Sequence, residues 1–137
     1  MIDQRPEFQT EQFEKGLKIR REVLGDAYVD RSIATADDVS APLQKLLTEW
    51  CWGEIWSRPG LELKLRSVLN LGMIMALNRP AELKLHLRGA LNNGLTREEI
   101  VEIILQCAIY CGAPASLDAM RTAQAVFAEL DAETNAL

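Results

Sequence analysis

The sequence is short of the residues on which many protein functions depend. It has 1 histidine in 137 residues, aromatic side chains make up only 6% of it, and 15 Lys and Arg are outnumbered by 20 Asp and Glu. The net charge of −5 argues against nucleic-acid binding, because phosphate contacts need a concentrated basic surface. One histidine and scattered carboxylates give no metal-ligand pattern. Neither a glycine-rich phosphate loop nor a G-x-S-x-G nucleophile elbow is present.

Signals for membranes and secretion are also missing. The longest uncharged apolar run, residues 67–77, is too short to span a bilayer. The chain opens with the polar stretch MIDQRPEFQTEQFEK, which lacks the apolar core of a signal peptide. Three cysteines are an odd number without a secretory context, so we expect reduced thiols. We therefore expect a cytoplasmic protein with no membrane partner.

What the chain does contain is helical periodicity along nearly its whole length, with Gly and Pro between the periodic segments. The pattern predicts one all-α domain over residues 1–137, compact and built from six helices. A hydrophobic fraction of 48% is enough to form its core. The predicted helices cover residues 8–24, 41–58, 62–77, 80–93, 96–111 and 114–131, with a long irregular connection over 26–38. Thr96 and Glu99 have the spacing of a capping box.

Two of these helices lack a polar face. Residues 62–77 and 96–111 are apolar on nearly every side, which predicts burial all round, with the first of them as the central helix. That is more apolar surface than the outer helices of so small a chain can cover. We therefore expect a homo-oligomer, because such surface is normally closed by symmetric association.

The lone histidine, His86, lies in ELKLHLRGALNNG on the predicted fourth helix. Helical spacing places it at the edge of an apolar stripe, with Glu82 one turn before it. An imidazole at such a boundary with a neighbouring carboxylate can titrate near neutrality, as proton-transfer catalysis requires. The alternative is a partly exposed helix histidine that only pairs with a glutamate, and this stretch alone favours that alternative.

The second candidate stretch is WCWGEIWSRPG, residues 50–60, in which three tryptophans surround Glu54 and Arg58. Aromatic walls such as Trp52 exclude water and raise the pKa of a carboxylate, and an arginine can hold a substrate carboxylate with two hydrogen bonds. The alternative is an ordinary ion pair, since Glu54 and Arg58 are one helical turn apart. Trp50 and Trp56 are expected in the core or at an interface.

The cysteines Cys107 and Cys111 suggest redox chemistry only superficially. Their spacing is C-x-x-x-C near a helix end, whereas thioredoxin-like motifs have C-x-x-C with the first thiol at a helix start. At the carboxyl end of a helix the dipole raises the pKa of a thiol. We therefore expect both residues to be small, buried hydrophobic side chains.

The stretches WGEIWSRPGL, LHLRGALNNG and TREEIVEIILQ, with YCGAPAS after the last, resemble the carboxymuconolactone decarboxylase family. The resemblance covers roughly residues 13–130. It implies an all-helical subunit in a ring-like hexamer, with active sites near subunit interfaces. It also implies decarboxylation of a carboxymuconolactone during aromatic catabolism, through protocatechuate and the β-ketoadipate route.

The chemistry that the resemblance implies needs no cofactor, because the unsaturated lactone of the substrate accepts the electrons that CO2 leaves behind. With the resemblance included, a functional His86 is favoured. We assign it the protonation of the intermediate, with Glu54 or Glu82 setting its charge or sharing the proton relay. For the substrate, a small anionic lactone, Arg58 is the expected carboxylate anchor. A weaker anchor is Arg66, and Trp52 is the expected apolar wall.

Two alternatives remain open at this stage. One is a thiol-dependent peroxidase or disulfide reductase that uses Cys107 and Cys111, as in related proteins with a C-x-x-C-x-x-H motif. The chain departs from that motif in its cysteine spacing and in having Pro114 three residues after Cys111. The other is a non-catalytic helical assembly that binds an aromatic-acid metabolite.

Overall fold

The structure, a computed structural model, describes residues 5–137, and within them the chain is helical with no strand. The prediction of an all-α fold is confirmed. None of the helices in this part of the chain combines the length and the apolar character needed to cross a membrane. The elements are, in order, a 3-10 helix Pro6–Phe8, α1 Glu11–Leu24, α2 Asp26–Ala34, α3 Ala41–Leu46, a π-helical segment Leu47–Trp56, α4 Leu63–Leu77, α5 Pro80–Asn92, α6 Arg97–Tyr110 and α7 Ala113–Asn135.

The chain divides into two compact units, Met1–Leu63 and Lys64–Leu137. The first contains α1, α2, α3 and the π-helical segment, and the second contains α5, α6, α7 and all but the first residue of α4. The expectation of a single domain over residues 1–137 stays a prediction, and its first four residues lie outside the described part of the chain.

The irregular connection expected over residues 26–38 is wrong for most of its length, because α2 occupies Asp26–Ala34. Val29 and Ile33, four residues apart, are both 0% exposed and give this helix one buried face. Gly25, at φ 89°, ends α1 and immediately precedes α2, so no long loop separates them. With only two buried positions and no side-chain cap, α2 leaves little periodic signal, and the described chain has seven α-helices instead of six.

The helix predicted over residues 41–58 consists of α3 followed by ten π-helical residues and ends at Trp56. A π-helix is rare because its hydrogen bonds run from residue i to i+5, and long examples need support from neighbouring groups. That support comes from α1: the side-chain amide of Gln12 donates to the carbonyl of Glu49 at 2.9 Å. Arg20 donates to the hydroxyl of Thr48 at 3.2 Å. Sequence periodicity, which assumes an α-helix, could not predict this segment.

Gly16 allows α1 to lie directly against the π-helical segment. A Cβ built at Gly16 would overlap the carbonyl oxygen of Thr48, so a side chain at this position cannot be accommodated without moving the two backbones apart. Gly53 on the other side of the contact is similar, since its Cβ would lie 2.9 Å from the side-chain nitrogen of Gln12. The two glycines therefore fix how closely the two helical segments approach.

The second unit has a continuous apolar core contributed by α4, α5, α6 and α7. The predicted capping box at the start of α6 is confirmed, with Thr96 and Glu99 bonding reciprocally. Ion pairs from Arg88 to Glu129 and Glu133, both at 2.9 Å, join α5 to α7 on the surface. The buried side chains of this core are Leu71, Met75, Leu83, Leu87, Ala90, Leu95, Ile100, Ile104, Cys107, Ala119, Ala123 and Val126.

The expectation that α4 is buried on all sides is wrong for the isolated chain. Only Ser67, Leu71 and Met75 of this helix are buried. An apolar stripe with a spacing of four residues is exposed on another face, because the core takes up one face only. This stripe consists of Leu65 (48% exposed), Leu69 (56%), Met73 (48%) and Leu77 (65%).

We predict that Gly16→Ala destabilises the protein by about 3 kcal/mol or more, because the added methyl group overlaps a backbone carbonyl that cannot rotate away. Urea unfolding followed by circular dichroism measures the effect. Gly60→Ala is the control: its Cβ would also have nothing within 4 Å, and its backbone does not have the positive φ that a side chain would strain. That control should be neutral or stabilising by up to about 1 kcal/mol. Equal stability of the two variants would contradict the close contact.

Candidate active site

His86 lies in the middle of α5, half-buried, at the edge of the stripe that includes Leu83, Leu87 and Ala90. Its Nδ1 atom is 3.1 Å from the side-chain nitrogen Nδ2 of Asn70 on α4. The boundary position expected from the sequence is therefore present. A hydrogen-bonding partner on the neighbouring helix was not expected.

Burial lowers the pKa of His86 from its usual value of 6.5, and the negative charge of Glu82 opposes this effect without overcoming it. Glu82, one turn before His86 and exposed, is thus the electrostatic neighbour that the spacing predicted, but its influence is the smaller one. Because the charged form is disfavoured, the imidazole of the free protein is neutral at pH 7.

A second polar contact joins the same two helices. The side-chain amide of Asn93 donates to the hydroxyl of Ser67 at 2.8 Å, and Ser67 is only 2% exposed. Together with the contact between Asn70 and His86, it fixes the position of α4 along α5. Arg66, half-buried, lies four residues before Asn70 and therefore on the same side of α4.

In the first unit, the π-helical segment contains Trp52 and Glu54. Trp52 is 5% exposed and stacks on Trp56 with ring centroids 4.8 Å apart. The carboxylate-bearing Glu54 is exposed, so the tryptophans of this unit do not enclose it. Trp50 is 56% exposed, which is compatible with the interface position expected for it.

Arg58 is exposed and follows the end of the π-helical segment at Trp56. The expectation that Glu54 and Arg58 are one turn apart on the same α-helix is wrong, since neither residue lies on an α-helix. The roles of Trp52, Glu54, Arg58 and Arg66 in substrate binding or catalysis stay predictions.

Two polar residues, one in each unit, were missed by the sequence analysis. Asn70 interrupts the apolar run SVLNLGMIMAL, and this isolated amide was the signal that could have identified it. Glu49 is 7% exposed, and although burial acts to raise its pKa, hydrogen bonds from Lys45 at 2.7 Å and Thr10 at 2.6 Å hold it below its usual value. Glu49 therefore joins α1 to the π-helical segment as an ionised group.

Comparison with known proteins identifies the family of the chain. The sequence profile of the carboxymuconolactone decarboxylase family matches residues 41–125. The chain belongs to this family. It is 47% identical over 112 residues to a nitrosuccinic acid decarboxylase of Metarhizium robertsii, covering 82% of this chain and 78% of that protein. It is 42% identical over 120 residues to a 4-carboxymuconolactone decarboxylase of Acinetobacter baylyi, covering 88% and 90%.

Both of these relatives are decarboxylases by name, and they support decarboxylase activity for this member of the carboxymuconolactone decarboxylase family. The two names share the reaction type and differ in the substrate.

Cys107 of this family member is poorly suited to redox catalysis. Cys107 is buried, and burial followed by the neighbouring Cys111 raises its pKa, which disfavours the nucleophilic thiolate. Cys111 caps the end of α6 and is exposed, which differs from the buried hydrophobe expected there. Among the residues that the structure describes, no group of three or more metal-binding side chains occurs.

We predict that protonation of His86 lowers stability in acid. In the unfolded chain the imidazole of His86 binds a proton near pH 6.5, but in the folded protein it does so only at a lower pH. The contribution of His86 to the free energy of unfolding is therefore fully present above pH 6.5 and is lost as the pH falls through the lowered pKa. The free energy of unfolding should therefore decline more steeply in wild type than in His86→Gln between about pH 7 and pH 5. Urea titrations at each pH test this. Parallel curves for the two proteins would contradict it.

Proposed function

We propose that the protein catalyses the cofactor-independent decarboxylation of 4-carboxymuconolactone to the β-ketoadipate enol-lactone, a step in the catabolism of protocatechuate. The observation that carries the proposal is the 42% identity, over 88% of this chain and 90% of the relative, to a protein named for that activity. A half-buried neutral imidazole on α5 supplies a group suited to the reaction.

The substrate carries its own electron acceptor. Its departing carboxylate is attached to the ring carbon that is γ to the unsaturated lactone carbonyl. When the bond to CO2 breaks, its electron pair moves through the double bond onto the carbonyl oxygen and gives a dienolate. Addition of one proton at carbon then yields the enol-lactone. A protein can accelerate this reaction by holding the substrate, excluding water and stabilising charge on that oxygen.

His86 is the residue that we assign to the developing negative charge. Since burial lowers its pKa, the resting imidazole is neutral, and a neutral imidazole is a better hydrogen-bond donor to oxygen than a proton source for carbon. The reaction then begins with a hydrogen bond from His86 to the dienolate oxygen. Protonation at carbon follows, and Glu54 or Glu82 is proposed to relay that proton from solvent.

Two arginines are proposed for the carboxylates of the substrate. Arg58 is exposed at the end of the π-helical segment, where its guanidinium group is accessible to an anion. Arg66, on the same side of α4 as Asn70, is the second. Trp52 is proposed as the apolar surface that keeps water from the carboxylate that leaves.

Nitrosuccinic acid is a second candidate substrate, favoured by the 47% identity to a decarboxylase of that name. Like the lactone it is a dicarboxylic acid, and its nitro group can accept the electron pair released with CO2. The two substrates thus share an anionic group for an arginine, a leaving carboxylate and an oxygen that gains negative charge. One hydrogen-bond donor at that oxygen would serve either reaction.

We further propose that the protein works as a homo-oligomer, a hexamer as the family resemblance implies. The exposed apolar stripe on α4 borders an open groove of about 380 Å³ between α4 and α6, with Leu69, Met73 and Ile103 among its lining residues. Exposed apolar side chains in this continuous arrangement normally mark a protein interface. A second copy of the chain is the proposed partner.

We predict that the wild-type protein releases CO2 from freshly generated 4-carboxymuconolactone, and that His86→Ala lowers kcat by about 100-fold or more because the donor to the dienolate oxygen is removed. Manometric or coupled detection of CO2 measures this. Nitrosuccinic acid is assayed in parallel.

The matched control is Cys111→Ser, at an exposed position outside the proposed site, which should keep kcat within about twofold. Failure of the folded wild type to release CO2 from either substrate would contradict the proposed function. Loss of hydroperoxide reduction in the serine variant would instead favour a thiol-dependent enzyme.

We predict that Met73→Glu dissociates the oligomer, because it places a charge in the middle of the apolar stripe on α4. Sedimentation velocity of wild type and variant measures the change in mass. Gln124→Glu adds the same charge at an exposed position of α7 outside the stripe and should leave the mass unchanged. A monomeric wild type, or an unchanged mass for Met73→Glu, would contradict this interface.

A further inference from the structure

Asn70 is the polar residue of α4 that contacts the proposed catalytic histidine. Its side chain is half-buried in an otherwise apolar stretch of the helix, where an amide is costly unless it forms hydrogen bonds. The described contact satisfies this requirement: Nδ2 of Asn70 lies 3.1 Å from Nδ1 of His86, within hydrogen-bonding distance.

The chemistry of these two atoms restricts the state of the imidazole. The amide nitrogen of asparagine carries two hydrogens and can only donate, so Nδ1 of His86 must accept with its lone pair. A ring that accepts at Nδ1 is neutral and carries its proton on Nε2. The charged imidazolium has hydrogens on both nitrogens, and one of them would face the amide hydrogens of Asn70.

The position of α4 relative to α5 keeps these atoms in contact. Ser67, one turn before Asn70, accepts a hydrogen bond at 2.8 Å from Asn93, two turns after His86. Two hydrogen bonds along the same helix pair prevent α4 from sliding or rotating by a residue. Asn70 is thereby held opposite His86.

We propose that Asn70 is a positioning residue that holds His86 as the neutral tautomer with its proton on Nε2, so that the imidazole offers a hydrogen-bond donor to the substrate oxygen that gains negative charge. This inference rests on the proposed decarboxylase function and adds to it the residue that sets the state of the histidine. Glu82 contributes through its charge, whereas Asn70 acts through a directed hydrogen bond.

The alternative tautomer would give the site different chemistry. With its proton on Nδ1, the ring would present a lone pair at Nε2 and act as a base, which would repel a negative oxygen. Decarboxylation needs no proton removed from carbon, so a donor is the useful state.

The tautomer can be observed directly, because His86 is the single histidine of the chain. Untagged protein labelled with nitrogen-15 in histidine gives one set of ring signals, in which a protonated and an unprotonated nitrogen differ widely in chemical shift. At a pH about one unit above the usual histidine value of 6.5, we expect a protonated Nε2 and an unprotonated Nδ1 in the wild-type protein.

The decisive variant is Asn70→Asp, which has nearly the same shape but offers only acceptor oxygens. The carboxylate should draw a proton to Nδ1, giving either the opposite tautomer or the imidazolium. Asn135→Asp makes the same change at an exposed position at the end of α7 and should leave the tautomer unchanged. A protonated Nδ1 in wild type would overturn the proposal. So would an Asn70→Asp spectrum identical to that of wild type, and the wild-type spectrum alone decides if this variant does not fold.

Kinetics supply a second readout. Asn70→Leu removes the hydrogen bond without adding a charge, and it should lower kcat for CO2 release by about tenfold or more while changing KM by less than about threefold, because the tautomer affects the reaction and not substrate capture. An increase in KM with unchanged kcat would overturn the positioning role. If wild type releases no CO2 yet shows the Nε2 proton, the proposed function fails while the tautomer assignment stands. If it releases CO2 with a protonated Nδ1, only the present inference fails.

Discussion

The close contact between α1 and the segment Leu47–Trp56 is the constraint on which the first unit depends. Ten residues can remain π-helical only if neighbouring groups compensate for the altered hydrogen bonding, and Gln12 does so at the carbonyl of Glu49. Such proximity requires Gly16, because any larger side chain would occupy the space of the Thr48 carbonyl. The ionised Glu49, bound by Lys45 and Thr10, adds a charged link at the same contact. The segment that carries Trp52 and Glu54 thus owes its shape to α1.

In the second unit, two polar side chains of α4 form specific hydrogen bonds. Asn70 and Ser67 are side chains of a largely apolar α4, and both bond to α5. The helix pair therefore combines an apolar core, which supplies most of the stability, with two directional contacts that fix its register. Burial keeps His86 neutral despite Glu82, and the same burial makes its hydrogen bonds more effective. A neutral donor is what a reaction needs when its substrate supplies the electron acceptor and negative charge appears on an oxygen.

The apolar stripe on α4 is a surface that the isolated chain leaves exposed to solvent. Small all-helical chains have few layers, so one face of a helix such as α4 can be left without cover even when its sequence is apolar throughout. Covering that face by association would complete the burial that the isolated chain lacks.

Several features could be read from the sequence because they depend on local pattern. Helical periodicity, the capping box at Thr96 and the boundary position of His86 beside Glu82 all follow from spacing along the chain. The remaining features depend on residues far apart in sequence. The short helix α2 has only Val29 and Ile33 as buried positions, the π-helical segment needs support from α1, and the contact of Asn70 with His86 joins residues sixteen positions apart. The sequence by itself determined the helical class, the family and the candidate histidine, because local spacing and motifs carry them. Tertiary structure alone decided the helical form of residues 47–56, the exposure of Glu54 and the burial of the imidazole, because each is set by what packs against it.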